Sequence, residues 1–69
     1  MKQSSERLTH AERTCLQLAA RGQALDMIAA QFDDRTETVE KHLSSARKKL
    51  IATTTMEAVA RALKLGLID

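Results

Sequence analysis

The side chains placed to do chemistry in this sequence gather in one stretch, Arg35 to Leu50, RTETVEKHLSSARKKL. Read at 3.6 residues per turn, Val39, His42, Leu43, Ala46 and Leu50 form a narrow apolar stripe, so a helix here is buried along one edge only. The polar remainder carries hydrogen-bonding groups and cations. Lys41 can donate to guanine O6 or N7, Glu40 can accept from cytosine N4, and Ser44 can do either. Arg35, Thr36 and Thr38 near the start, with Arg47 and Lys48 further along, suit contacts to phosphate. The expected nucleic-acid set is therefore Arg35, Thr36, Thr38, Val39, Glu40, Lys41, Ser44, Arg47 and Lys48, with Val39 shared with the apolar stripe.

Catalysis is a poor match to the same inventory. The single cysteine, Cys15, sits on an apolar stripe without a base and reads as a small core residue. His10 falls in a first helical turn, and His42 lies on the buried edge of its helix, where an inter-helix packing role suits it better than a ligand role. There is no Gly-rich phosphate loop, no pair of acid/base carboxylates and no metal-ligand spacing. The expectation is a non-enzyme that needs no cofactor and no metal.

Charge and size point the same way. The net charge is only +2, but residues 35 to 50 hold five cations against Glu37 and Glu40, whereas residues 22 to 34 hold Asp26, Asp33 and Asp34 with no cation. Positive charge thus gathers on the stretch already singled out, a modest footprint for a polyanion. Sixty-nine residues make one small domain. The absence of Pro, Trp and Tyr and the abundance of Ala, Leu, Lys, Arg and Glu mark it as all-α. No apolar run reaches the length of a membrane span, and no leader peptide is legible, so a cytoplasmic protein is expected.

Three further helices must position the polar one. Residues 1–7, polar and aperiodic, read as a disordered lead-in or linker before a domain at 8–69. Thr9 and Glu12 form a capping box after Leu8; the first helix runs to about Ala20 with Cys15, Leu16 and Ala19 inward, and Gly22 ends it. A short second helix, about Leu25 to Phe32, turns Leu25, Ile28, Ala29 and Phe32 to one side, with Phe32 as the expected anchor where three helices meet. Asp33-Asp34-Arg35 is too brief a link for antiparallel packing and gives a helix-turn-helix, with Asp34 expected to cap the third helix together with Glu37. Thr54 and Glu57 repeat the capping box for a fourth helix from about Thr55, apolar around much of its circumference. Its small residues Ala58, Ala60 and Ala62 would let another helix approach closely, and Gly66 ends it, with Leu67 and Ile68 folding back.

The chain is similar to a known family at Leu8-Thr9-x-x-Glu12, Leu16-x-Leu18-Ala19-x-x-Gly22, Ile28-Ala29, Thr38-Val39-x-x-His42-Leu43, Lys49-Leu50, Glu57-Ala58-Val59 and Ala62-x-x-x-Gly66-Leu67-Ile68. These residues resemble the LuxR-type helix-turn-helix domain of the LuxR, FixJ, NarL and GerE regulators, over about Leu8 to Ile68. The resemblance implies a four-helix domain of a bacterial transcriptional regulator that binds double-stranded DNA in the major groove as a homodimer on a palindromic site. The motif would span Ala24 to Leu43, the third helix would read bases, and the fourth would supply the dimer contact through Met56, Ala60, Leu63, Lys64 and Leu67. The chain departs from the family pattern at Ala24, where Ser is usual, at Met27, where Glu is usual, and at Asp34-Arg35, where Ile-Ser is usual. Arg is usual at Ala11 and Thr55, and Glu40 stands where relatives carry basic or neutral residues.

The tail MEAVARALKLGLI looks most like the quorum-sensing branch, in which a lactone-binding domain precedes this one; an upstream receiver domain or a stand-alone domain is also compatible. No small-molecule site is legible in these residues. A second reading, an interaction module that uses the fourth helix and no longer binds DNA, draws on Glu40 and the low net charge.

Overall fold

The computed structural model describes residues 7–69, and the expected all-α, four-helix architecture is found: α1 (His10–Ala20), α2 (Leu25–Phe32), α3 (Thr36–Leu50) and α4 (Thr55–Lys64). The lead-in expected at residues 1–7 lies outside the described residues except for Arg7, whose carbonyl accepts a hydrogen bond from Lys49 Nζ at 3.0 Å.

Each helix begins and ends for a local reason. At α1 the Thr9 hydroxyl accepts from the Glu12 amide at 3.0 Å and Glu12 Oε1 accepts from the Thr9 amide at 2.9 Å, the reciprocal box expected from the sequence. At α4 only half of the expected box forms. Thr54 accepts from the Glu57 amide at 3.0 Å, but Glu57 Oε1 reaches one residue further back, to the amide and hydroxyl of Thr53 at 2.8 and 2.9 Å. At α3 the expected cap is displaced. Arg35, not Asp34, is the N-cap, and no side chain caps the helix. Asp33 takes a left-handed conformation (φ 55°) to close α2, which uses up one residue of the link and leaves Asp34 to bond the Arg35 amide at 2.8 Å instead.

All four carboxyl ends close by the same crossed pair of backbone bonds. Gly22 and Gln23 donate to Ala19 and Leu18, Asp33 and Asp34 to Ala30 and Ala29, Ile51 and Ala52 to Lys48 and Arg47, and Gly66 and Leu67 to Leu63 and Ala62. The pivot residue has positive φ each time: 86° at Gly22, 55° at Asp33, 55° at Ile51 and 74° at Gly66. A β-branched residue is unfavourable there, so Ile51 stores strain of about 1–2 kcal/mol.

The core lies where α1, α3 and α4 converge. Cys15 and Leu16 from α1, Ile28 from α2, Val39 and Ala46 from α3, and Ala58 and Ala62 from α4 are essentially sealed from solvent. Leu8 and Ile68 close its two ends. Two expectations change here. Phe32 is only partly buried, packed against the edge of the core with its ring 6.3 Å from that of His42, because α2 is too short to carry it to the centre. Ala58 and Ala62 face inward, so the small residues admit α1 and α3 of the same chain rather than another molecule. What α4 leaves outside is Met56, Ala60 and Leu63.

Candidate nucleic-acid interface

The third helix is held from two sides. Its inner seam, Val39, Leu43, Ala46 and Leu50, is spaced i, i+4, i+7, i+11 and fully packed. Its carboxyl end is pinned by Lys49, whose ammonium lies 2.8 Å from Glu12 Oε1 at the start of α1. Among the described residues Glu12 is the one buried charged residue, 4 % exposed. Burial alone would raise its pKa; hydrogen bonds from Lys49, Ser45 and the Thr9 amide, with the Lys49 charge, outweigh that and hold the carboxyl below its usual range. The helix that carries the polar residues is thus fixed at its far end by a buried ion pair and along its length by apolar contact.

Opposite the inner seam, Glu37, Lys41, Ser44 and Lys48 repeat the same i, i+4, i+7, i+11 spacing. Glu37, Lys41 and Lys48 are exposed and Ser44 is half-buried. Beside this line, Glu40, Ser44 and Arg47 join Leu25, Leu43 and Thr55 in lining a cleft of about 340 Å³ between the starts of α2 and α4. Arg35 and Thr36 stand exposed at the open amino end of α3, and Thr38 is half-buried on its other flank. By the helical period Thr36, Glu40, Lys41, Ser44, Arg47 and Lys48 share the outer half of α3, and Arg35 stands exposed just before its first turn. Val39 is the exception, and its assignment to the interface is corrected: it is fully buried in the seam and reaches no ligand. Glu37 and Glu40 interrupt the cationic surface, and neither is ion-paired among the described residues.

Other polar groups are accounted for structurally. Cys15 is buried, and burial, with the nearby Glu12 charge, pushes its thiol up to about 11, which keeps it un-ionised and unreactive. Glu57, held by the Thr53 amide first and then by Arg61 and the Thr53 hydroxyl, has its carboxyl lowered to about 2, a consequence of securing the start of α4. No helix of the described residues is long and apolar enough to cross a membrane. Leu25 and Thr55 were missed as cleft residues in the sequence, since only the crossing of α2 and α4 over α3 brings them beside Arg47.

A short helix, a three-residue turn closed by Asp33, and a longer helix with a polar outer face make this a helix-turn-helix domain of the four-helix type. The family model described as bacterial regulatory proteins, luxR family, matches residues 6–62. Among solved structures, one described as that of the transcription factor GerE shares 31 % identity, superposes with a TM-score of 0.86, and covers 90 % of this chain and 92 % of its own. Curated proteins provide no match. The chain belongs to the LuxR family, and its domain is that of a DNA-binding transcription regulator, a class without enzymatic activity of its own.

Proposed function

We propose that the domain recognises a specific sequence in double-stranded DNA by laying the amino-terminal half of α3 in the major groove. The observation that carries this is the outer line of α3, opposed to a sealed seam, which sets Lys41 toward solvent beside the half-buried Ser44, with Arg35 before the helix and Lys48 at the end of the line. Lys41, Ser44 and Glu40 read base edges, while Arg35, Thr36, Thr38, Arg47 and Lys48 hold phosphates. The working unit is a homodimer that joins α4 to α4 through Met56, Ala60, Leu63 and Leu67 on a palindromic site with half-sites about one helical turn apart. Support for that contact comes from Met56 and Leu63, apolar yet 69 % and 46 % exposed. Lys64, expected among the dimer residues, lines a different cleft with Arg61, so it belongs at most to the margin of that contact. The motif spans Ala24 to Leu43 within a domain at 8–69, preceded by a linker, and acts in the cytoplasm as the effector part of a regulator of the quorum-sensing kind; the likeness of the α4 tail supports the last point.

Selection from randomised duplex DNA, followed by affinity measured against salt, tests this reading. An enriched palindrome is expected. Lys41→Ala and Ser44→Ala should change the preferred base, whereas Arg47→Ala should weaken all sequences alike and reduce the salt slope by about one. The same uniform loss for Lys41→Ala and Arg47→Ala would remove Lys41 from base reading. No binding even at low salt would favour the second reading, an α4 interaction module without DNA binding.

A further inference from the structure

The carboxyl ends of α3 and α4 enclose a second cleft, of about 290 Å³, lined by Lys49, Leu50, Ile51, Arg61, Lys64 and Leu65. We infer that this cleft docks another protein, through an amphipathic helical segment that offers two aliphatic side chains flanked by Asp or Glu.

Ile51 stands at the mouth of this cleft. It is a β-branched residue at positive φ and 79 % exposed, so it bears the strain of the left-handed conformation without the return of burial. The equivalent pivots after α1 and α4 are glycines, which take that conformation at no steric cost. A strained residue that keeps an aliphatic side chain in water is accounted for when that side chain is covered by something else. Leu65, 65 % exposed, lines the same cleft and gives a second apolar contact beside the Leu50 floor.

Three cations and no acidic residue line the cleft. Lys49 is held by Glu12 and Arg61 by Glu57 at 3.1 Å, while Lys64 has no ion partner among the described residues. A rim of one sign selects an acidic partner. A second copy of this chain would set the uncompensated Lys64 against its own counterpart, and DNA would gain nothing from Ile51 and Leu65. Apolar centre with acidic edge is the pattern by which a helix fills a groove.

The cleft is open while the proposed DNA surface is engaged. Ile51 stands ten residues beyond Lys41, about 15 Å along the axis of α3. By the 3.6-residue period of α4, Arg61 lies on the flank away from Met56 and Leu63, while Lys64, one turn beyond Ala60, lies between that flank and the proposed α4 contact.

The test uses a displayed library of randomised 14-residue peptides, selected on the immobilised protein, with the best sequence then synthesised. Enriched peptides should pair two aliphatic residues at helical spacing with Asp or Glu. Their affinity should fall with salt, and should drop at least about tenfold on Ile51→Gly, the loss expected for one buried aliphatic side chain. Ile51→Gly relieves strain, so unfolding does not explain a loss, and Lys64→Glu should weaken the same peptide independently. Affinity unchanged by Ile51→Gly, enrichment of peptides without acidic residues, or no enrichment would each overturn the proposal. So would self-association of the wild-type protein that Ile51→Gly abolishes, since the occupant would then be a second copy. DNA affinity lost in Ile51→Gly would also overturn it, by assigning the cleft to the DNA surface.

Discussion

Replacing Lys49 with methionine keeps the aliphatic stem and removes the ammonium that lies 2.8 Å from Glu12. The Glu12 carboxylate, 4 % exposed, is then left with the Thr9 amide and the Ser45 hydroxyl. Breaking a fully buried pair costs about 3–5 kcal/mol. Here the Lys49 side chain keeps 21 % of its surface in water and the amide bond survives, so about 2 kcal/mol is the reasonable figure for Lys49→Met. A domain of this length has a total stability of about 3–10 kcal/mol, so the change removes a large part of it and lowers Tm by about 8–16 °C. Glu12→Gln should cost about 1 kcal/mol, because its partner can turn to solvent. The double variant Glu12→Gln/Lys49→Met should lose less than the sum, since neither charge is stranded. Urea unfolding of the four proteins gives the coupling energy, expected at about 1–2 kcal/mol. The Lys49→Met deficit should also shrink as pH falls and Glu12, whose carboxyl is held below its usual range, protonates and no longer needs a cation. Additivity within about 0.5 kcal/mol, or a deficit constant with pH, would show that the pair is an ordinary surface contact and that α3 is positioned by its seam alone.

Three further outcomes follow from the same geometry. Ile51→Gly should raise stability by about 1 kcal/mol in urea, because the gain from relieved strain exceeds the entropy added to the unfolded chain; a loss would mean that the Ile51 side chain is packed, not exposed. Glu12 and Glu57 both have lowered carboxyl pKa values, so the stability they contribute is present above the ordinary carboxylate value and is lost as pH falls through the folded one, which for Glu57 places the decline between about 4.5 and 2. Glu57→Gln should flatten that decline in an acid titration of unfolding free energy, and an unchanged profile would remove Glu57 from the account. Val39→Ala, which opens a cavity in the sealed seam, should cost about 2 kcal/mol while leaving base preference intact; altered preference with unaltered stability would return Val39 to the DNA surface.

The fold was legible wherever one residue type settles a local question. Thr9 with Glu12 marked a helix start, Gly22 and Gly66 marked ends, and the i, i+4, i+7, i+11 seam of α3 marked both its type and its buried side. Legibility failed where residues compete for a role. Two neighbouring aspartates could each serve the turn; the pivot went to Asp33 through its backbone, and the cap therefore slid to Arg35, a residue with no capping oxygen. Three successive threonines offered Glu57 two targets, and it took the earlier one. Val39 carried two assignments, and only packing could show that a seam position has no surface to offer a ligand. The second cleft left no periodic trace, since Ile51 and Leu65 both follow helix ends and meet only through the crossing of α3 and α4.

The four crossed carboxyl ends have a consequence for how quickly the domain assembles. Three of them turn the chain into the next helix within a connection of three or four residues, so consecutive helices meet through partners near in sequence. Searches for such neighbours are short, and helical domains of this kind fold in microseconds to milliseconds. The long closures are the packing of α1 on α3 and α4, held by bonds from Lys49 to Glu12 and to the Arg7 carbonyl across 37 and 42 residues and by the paired bonds of the Gln17 side chain with the Asp69 backbone across 52. If these form last, weakening the Glu12–Lys49 pair should speed unfolding far more than it slows folding, and the domain's lifetime in the native state would be set by a single carboxylate.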